Sequence, residues 1–353
     1  MKKIVSLVLC CLLISVNFGC QNNQNEKIRI GVIAPLTGYA SLPGEMCMKG
    51  INLVNQDTTK AKNRQYEFVV EDCKSSAKDA ISAFRRLYSQ GIKYYIVCGG
   101  QFAMSVAPLT RDKDVIMFAT ATANLDLLQT TNRCFRMFPH PQSVVNILSD
   151  YATKELKMNK VAIVNIQNDA YALYAKLYED IICQSKGTVV FKEGYSISQK
   201  DFKDIITKII DSNPDYLYLA GMGESAMLFS KQLFANPQSS HIPILGDMNF
   251  SLPNTKKIIA NFPSPIYYAD AVVDETFKAY YSAIYQELPN AYSFYSYIIP
   301  YIIDEAINNT EKGNIINQIE YIKQHEFYIA SDRPIQFDNF GEVNLQLDIY
   351  KIQ

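Results

Sequence analysis

Short apolar runs alternate with longer amphipathic stretches along most of this chain. The first apolar run covers residues 27–34, and similar runs follow at 66–70, 94–97 and 115–119. The stretches between them carry apolar residues at helical spacing. Runs of four to eight apolar residues separated by helix-length segments are typical of parallel strands in βαβ units. The first part of the chain therefore predicts an α/β lobe built on a parallel sheet.

The same alternation begins again after Pro139 and Pro141. The predicted strands of this second series are 160–166, 189–195, 216–220 and 242–245, and its predicted helices are 144–156, 171–185, 202–211 and 225–234. Two series of this kind indicate two doubly wound parallel-sheet lobes with right-handed crossovers.

The last 80 or so residues follow a different pattern, with three tyrosine-rich or amphipathic helices and two short strands. The predicted helices are 276–288, 293–308 and 315–323, and the predicted strands are 335–337 and 345–350. This block is too small for a third domain, so it must pack on the lobes, and the chain must cross between them repeatedly. We expect residues 27–141 with 275–327 to form lobe 1, and 142–274 with 328–353 to form lobe 2. An aromatic stripe on a helix is usually packing, which is the interpretation preferred for these tyrosines; the alternative is that one tyrosine of the cluster at 292–297 faces the space between the lobes.

The amino terminus has the features of an export signal. Lys2 and Lys3 precede an apolar run at 4–16, which is shorter than the ~20 residues that span a bilayer. We interpret residues 1–19 as a signal peptide. Its end, Val16-Asn17-Phe18-Gly19-Cys20, resembles a bacterial lipobox, which implies a lipid on Cys20 and a tether over 20–26. The alternative is ordinary cleavage near Gly19. The expected location is outside the cytoplasm, on a membrane, periplasmic or at the cell surface.

Composition and cysteine spacing limit the partners, metal sites and disulfides that this chain can have. The apolar fraction of 48% suits sizeable cores, and a net charge of −1 without Lys/Arg clusters argues against nucleic acid as a partner. Five cysteines remain once the signal and Cys20 are set aside, and none has CxxC spacing. With three histidines, no zinc site or other metal or cofactor is expected. Cys73 and Cys98 each follow a predicted strand and are the preferred disulfide pair.

Several short segments carry a resemblance to a known family. They include Ile30-Gly31-Val32-Ile33-Ala34-Pro35-Leu36-Thr37-Gly38, Phe135-Arg136, Asp169-Ala170-Tyr171, Asn213-Pro214-Asp215 and Pro334-Ile335-Gln336-Phe337-Asp338-Asn339-Phe340-Gly341. Together they resemble the type I periplasmic binding proteins, in the branched-chain amino-acid (leucine/isoleucine/valine) receptor branch. The resemblance implies two lobes joined by three crossovers, a small-molecule ligand in the cleft between them, and an ABC permease as partner.

In lobe 1, two loops lie where ligands bind open parallel sheets, beyond the carboxyl ends of the strands. Gly100 and Gln101 follow one strand and offer backbone N–H groups to a carboxylate. The family places serine near these two positions, and this sequence lacks it. The resemblance assigns Thr120, Ala121 and Thr122 to the ligand's head group. Helix capping is the alternative role for the two threonines.

In lobe 2, three residues are expected to contact the ligand: Tyr171, Met222 and Asp247. Tyr171 matches the family's tyrosine that closes over the ligand. Asp247 ends a predicted strand, where its carboxylate would neutralise a ligand ammonium. Glu224 is the competing acid, and its alternative role is that of an ordinary acidic residue in the first turn of a helix.

Two other functions were weighed. Gly221-Met222-Gly223-Glu224-Ser225-Ala226 fits G-x-G-x-x-A, and Asp247 follows at about the spacing expected of a nucleotide-binding enzyme. The export signal and the position in mid-chain argue against that interpretation. A ligand sensor of the same fold, not coupled to transport, is the nearer alternative, and fold alone does not separate it from a transport protein. The preferred interpretation is a binding protein with no catalysis.

Overall fold

The computed structural model describes residues 27–56, 66–185, 187–221, 223–252, 262–311, 313–329 and 334–352. The predicted signal peptide, Cys20, the tether and Met222 lie outside these residues. Within them the chain forms two main sheets, as the alternating pattern predicts.

The first sheet has five parallel strands in the order β2-β1-β3-β4-β5. These strands are β1 (Ile28–Ala34), β2 (Tyr66–Asp72), β3 (Tyr94–Cys98), β4 (Ile116–Thr120) and β5 (Cys134–Met137), and the helices between them are α1 (Ser41–Val54), α2 (Ala77–Ser89), α3 (Gly100–Val106) and the single turn α4 (Leu127–Thr130). Strand β5 was not predicted from the sequence. It is only four residues long, and Arg136 interrupts its apolar run.

The second sheet has six strands in the order β14-β10-β9-β8-β6-β7. Its strands are β6 (Lys160–Ile166), β7 (Thr188–Tyr195), β8 (Tyr216–Ala220), β9 (Ile244–Gly246), β10 (Ile266–Ala271) and β14 (Leu347–Ile352), and the helices of this half are α5 (Pro141–Asp150), α6 (Asp169–Gln184), α7 (Lys203–Ser212) and α8 (Gly223–Ala235). All the pairings are parallel except β10 with the edge strand β14, which is antiparallel. The predicted parallel sheet therefore gains one antiparallel edge.

The carboxyl-terminal block divides between the two lobes. Its elements are α9 (Glu275–Tyr285), α10 (Ala291–Asn308), α11 (Ile315–Gln324) and the short strands β11 (Glu326–Phe327), β12 (Ile335–Phe337) and β13 (Val343–Asn344). Strands β11, β12 and β13 form a small sheet whose apolar residues join the first lobe's core, whereas β14 pairs with β10. The predicted lobe 2 segment 328–353 is thus split, and the last crossing falls between β13 and β14.

Each lobe has its own apolar core. One face of the first sheet packs on α1 and α10, and the other face packs on α2 and α3. Tyr281, Tyr295, Tyr297 and Tyr301 belong to the first of these clusters, which confirms their predicted packing role. None of the helices in the described part of the chain is long and apolar enough to cross a membrane.

The predicted disulfide between Cys73 and Cys98 is wrong: both are free thiols. Strand β1 lies between β2 and β3, so residues at the ends of β2 and β3 are two strand spacings apart, about 9.6 Å. A disulfide needs Cα atoms within about 7 Å. The two side chains also belong to different core clusters. The thiol that neighbours Cys98 is that of Cys47 on α1.

Helices α1 and α10 cross at Gly50. A Cβ atom there would lie 2.0 Å from the Ser293 carbonyl oxygen. We expect Gly50→Ala to lower the free energy of unfolding by about 1–3 kcal/mol, because the helix backbones must separate. In an open helix the same change would stabilise by up to about 1 kcal/mol. Asn52→Ala, at an exposed position of the same helix, is the control. Chemical denaturation measures both, and a stabilised Gly50→Ala variant would contradict this packing.

Candidate ligand-binding cleft

The loop after β3 approaches the loop after β4 closely. Gly99 has φ +101° and donates its N–H to the Thr120 carbonyl at 2.9 Å. Gly100 begins α3, and a Cβ atom there would lie 2.9 Å from Thr122 Oγ1. Glycine is therefore needed at both positions, at Gly99 for the backbone conformation and at Gly100 for the contact. The structure brings the two predicted loops of lobe 1 together.

Gln101 reaches a third loop that the sequence analysis did not include. Its side-chain amide donates a hydrogen bond to the hydroxyl of Tyr39, and both side chains are exposed. Tyr39 follows β1, whose carboxyl end lies at the same edge of the sheet as those of β3 and β4. That position was the available signal for Tyr39. Gln101 thus occupies the rim of the site, in contact with the β1 loop.

The loop after β4 has an unusual backbone. Ala121 has φ +56°, a left-handed conformation that is uncommon for residues with a Cβ. Thr122 Oγ1 accepts a hydrogen bond from the Asn124 N–H at 3.3 Å, which is a local turn contact and not the helix cap of the alternative interpretation, because the next helix, α4, begins at Leu127. Thr120 has no such role: its hydroxyl is buried and has no partner among the described residues. A buried hydroxyl of this kind is a candidate ligand contact.

In the second lobe, Asp247 follows β9 and is 2% exposed. One of its oxygens, Oδ1, accepts hydrogen bonds from the Asn249 backbone at 3.0 Å and from Asn249 Nδ2 at 2.6 Å. No Lys, Arg or His of the described residues forms an ion pair with it. Burial raises the pKa of Asp247 to about 6, against the lowering effect of the Asn249 hydrogen bonds. The site therefore contains a buried carboxylate without a cation.

Four buried tyrosines lie near enough to this carboxylate for its charge to act on them. The pKa values of Tyr171, Tyr174, Tyr218 and Tyr292 are all raised, mainly by burial and then by the negative charge of Asp247. The Tyr218 hydroxyl is buried and has no partner among the described residues. The predicted residue Tyr171 thus lies beside the predicted residue Asp247, whereas the roles of Tyr174 and Tyr218 were missed.

Asn249 joins the two halves of the molecule. Its Nδ2 also donates to the Tyr171 hydroxyl, and its Oδ1 accepts from the Tyr292 hydroxyl, both at 3.1 Å. Tyr292 begins α10 and belongs to the first lobe's core, whereas Tyr171 and Asp247 belong to the second lobe. Asn249 carries no sequence motif. It becomes recognisable only because the fold brings α10 to the end of β9.

Glu224 and the G-x-G-x-x-A pattern, which supported the alternative interpretations, have other roles in the structure. Glu224 is exposed in the first turn of α8, as its alternative role requires. The G-x-G-x-x-A pattern forms the turn from β8 into α8, and Gly223 has φ +65° there. In a dinucleotide site the acid after the next strand binds a ribose hydroxyl. Asp247 is instead turned into a buried network with Asn249.

A separate cavity of about 480 Å³ lies on the first lobe, beside Arg111, Lys323 and Phe340. None of the predicted ligand residues lines it. Its guanidinium group, on Arg111, already donates to the Thr130 carbonyl at 2.8 Å. Thr120, at the carboxyl end of β4, and Tyr218 are among the described residues whose buried hydroxyls have no hydrogen-bond partner, and the Asp247 carboxylate is buried without an ion pair, so we place the candidate site at these strand ends.

A match to a family model places this architecture among known proteins. Residues 27–312 match the model described as "Periplasmic binding protein". The Leu/Ile/Val-binding protein homolog 3 of Brucella melitensis is 25% identical over 232 residues, which are 64% of this chain and 63% of that protein. The chain thus spans under two thirds of the length of the curated relatives it matches.

Removing the charge of Asp247 should stabilise the ligand-free protein. The pKa in the folded chain, about 6, lies above the ordinary 3.8. Well below pH 3.8 the group is protonated in both the folded and the unfolded chain. Between pH 3.8 and about 6 the unfolded chain has lost this proton and the folded chain still holds it, so stability falls as the pH rises, and above about 6 the folded state must hold a buried charge. We expect Asp247→Asn to raise the free energy of unfolding at pH 8 by up to about 3 kcal/mol, and by less at pH 4.

Urea unfolding at the two pH values measures this difference. A variant no more stable than the wild type at pH 8 would contradict the buried, unpaired charge at Asp247.

Solved structures of other proteins have the same fold over nearly the whole length of this chain. The branched-chain amino acid transporter substrate binding protein from Streptococcus pneumoniae, solved with isoleucine, has a TM-score of 0.78, 19% identity and coverage of 92% of this chain and 95% of that one. A solute binding protein of an ABC transporter from R. palustris, solved with benzoate, has a TM-score of 0.78, 16% identity and coverage of 93% of each. These two establish the fold. With the family match, they show that the chain belongs to the periplasmic binding proteins and has their type I fold.

Proposed function

We propose that this protein captures a small amino-acid-like ligand in the cleft between its lobes, outside the cytoplasm, and presents it to an ABC importer. It performs no catalysis. The observation that carries the proposal is the Asp247 carboxylate, which is buried near several tyrosines and forms no ion pair with any described residue. A buried carboxylate is costly unless a positive group joins it, and a ligand ammonium supplies one.

The other end of such a ligand has a fitting environment in the first lobe. Gly100 and Gln101 bring the start of α3 next to Thr122, and the Thr120 hydroxyl awaits a partner. These groups offer N–H and O–H donors to a carboxylate. We therefore propose ligand contacts at Gly100, Gln101, Thr120, Ala121, Thr122, Tyr171, Met222 and Asp247, with Tyr39 added at the rim.

Relatives bind two chemical classes, since the structural neighbours include one with isoleucine and one with benzoate. An aromatic acid carries no ammonium and would leave Asp247 unpaired. The acid at position 247 therefore favours an α-amino acid over a simple aromatic carboxylate for this chain.

A thermal-shift screen of residues 21–353 tests this proposal. The panel pairs α-amino acids with the same molecules lacking the amino group, and includes benzoate. A ligand at 100 times its Kd adds about 2.7 kcal/mol of stability, which is a melting-temperature rise of several degrees at ~2–4 °C per kcal/mol. We expect that rise for an amino acid and not for its deaminated analogue.

Two variants test whether the ligand ammonium contacts Asp247. Asp247→Asn should abolish the rise, because the ammonium then meets no negative charge. Glu224→Gln, which neutralises the exposed acid of the neighbouring loop, should retain it. Binding of benzoate or of a deaminated analogue, undiminished in Asp247→Asn, would refute the ammonium contact.

We also propose that Cys20 carries a lipid that holds the protein on a membrane. The apolar run at 4–16 and the sequence ending at Cys20 support this anchor. In cells that process lipoproteins, the wild type should sediment with membranes, and Cys20→Ser should appear in the soluble fraction. Cys183→Ser, which alters an exposed cysteine of the body, is the control. A Cys20→Ser protein that stays with the membrane would exclude lipid anchoring at this residue.

A further inference from the structure

We propose that Arg136 is a positioning residue that couples the ligand loop after β4 to two of the connections between the lobes. The inference rests on the proposed function, since it assigns the coupling to ligand capture. Arg136 is not among the predicted ligand contacts, and its side chain is fully buried.

The guanidinium group of Arg136 makes contacts in three directions. Its Nε and Nη2 donate to the two carboxylate oxygens of Glu342, with Nε at 2.7 Å from Oε2. Its Nη1 donates to the Thr122 carbonyl at 2.8 Å and to the Pro139 carbonyl at 3.4 Å. The backbone adds a fourth link, because the Arg136 N–H donates to the Gly341 carbonyl at 2.8 Å.

The hydrogen-bond partners of Arg136 lie in the ligand loop and in two of the connections between the lobes. Thr122 lies in the ligand loop. Pro139 lies between β5 and α5, on the first connection from one sheet to the other, and Glu342 precedes β13, from which the chain crosses back to β14. One planar group with donors in fixed directions therefore joins the ligand loop to the first and third connections.

The ligand loop needs such support. Ala121, immediately before Thr122, has φ +56°, a conformation that is unfavourable for a residue with a Cβ and persists only where the surroundings hold it. The charge-assisted bond from Arg136 to the Thr122 carbonyl is one such restraint. A rotation of the lobes that shifts the connections at 139 or 342 must move this bond, and so the loop.

By linkage, the effect acts in both directions. If closure of the lobes stabilises the ligand-competent loop, a ligand that engages the loop favours closure by the same free energy. Stability alone does not explain the pair, because a buried ion pair is often no better for stability than apolar residues of similar size. Because apolar residues can replace such an ion pair, the test variant is Arg136→Met with Glu342→Leu, which removes the coupling and leaves no unpaired charge.

Hydrogen exchange read by mass spectrometry tests the coupling on residues 21–353, with the amino acid identified by the thermal-shift screen. In the wild type, saturating ligand should slow amide exchange at 121–124 and also at 138–143 and 341–346. In the double variant the ligand should still protect 121–124, but protection at both connections should fall at least threefold, and the Kd should rise about tenfold.

A second, more exposed arginine–glutamate pair supplies the control, since the Arg86 side chain is 53% exposed and that of Arg136 is 0% exposed. Arg86 also holds a glutamate with two bonds, Nε to Glu71 Oε1 at 3.1 Å and Nη2 to Oε2 at 2.7 Å, in the same lobe but away from the connections. Arg86→Met with Glu71→Leu should leave the ligand-induced protection as in the wild type. A purely structural role for Arg136 would lower the melting temperature of its variant but keep ligand-induced protection at 138–143 and 341–346, and that result would overturn the proposal.

The coupling has a second readout that needs no ligand. In the free protein, Glu342→Gln should raise exchange at 122–124 at least threefold, whereas Glu71→Gln should leave it unchanged. If no compound of the panel binds the wild type, the proposed function fails on its own, and this comparison still decides the coupling. Unchanged exchange at 122–124 in Glu342→Gln would overturn it.

Discussion

Parallel pairing of the strands determines where the polar groups of this protein meet. Because parallel strands all end at the same edge of their sheet, the loops after β1, β3 and β4 converge at one edge, and their residues Tyr39, Gln101 and Thr122 share a rim. Apolar strands fill the sheets, so chemistry is confined to these edges. The same constraint places Asp247 at the end of β9, near Tyr171 at the start of α6.

At the end of β9, the buried Asp247 carboxylate that is proposed to bind a ligand cation lowers the stability of the ligand-free protein. Asp247 lies in a buried environment that favours its neutral form, since its pKa is raised to about 6. An arrangement of this kind weakens the empty protein near neutral pH and strengthens it once a cation enters. Asn249 limits the cost by donating to the carboxylate, and through Tyr292 it links that carboxylate to the first lobe. The proposed site thus includes residues from both lobes, and Arg136 bonds the loop after β4 to Glu342, beside the last crossing.

The sequence predicted the alternation of strands and helices, the two-lobe fold and the position of Asp247 beyond a strand, because each depends on local periodicity. It missed β5 and β10, which are short and contain Arg136 and Asp270 within their apolar runs. The pairing of Cys73 with Cys98 was wrong because chain order does not give strand order, and β1 lies between them.

Asn249 could not be predicted as a site residue from spacing, and Tyr39, whose position after β1 was a usable signal, was overlooked. Asn249 acquires its role from contact with Tyr292, 43 residues along the chain, and Tyr39 acquires its role from contact with Gln101. Such contacts arise from the packing of helices on sheets, and no local pattern records them. Arg136 was visible within a family-like motif, but its partners on the hairpin and the ligand loop were not.

The ion pair between a ligand ammonium and Asp247 is the central interaction of the proposed binding site. Calorimetric titration of the bound amino acid, in buffers of different ionisation enthalpy, counts the protons exchanged on binding. A cation next to this carboxyl lowers its pKa from about 6, so binding at pH 6 should release about half a proton and binding at pH 8 almost none. Binding at pH 6 with no release, or with proton uptake, would contradict the claim.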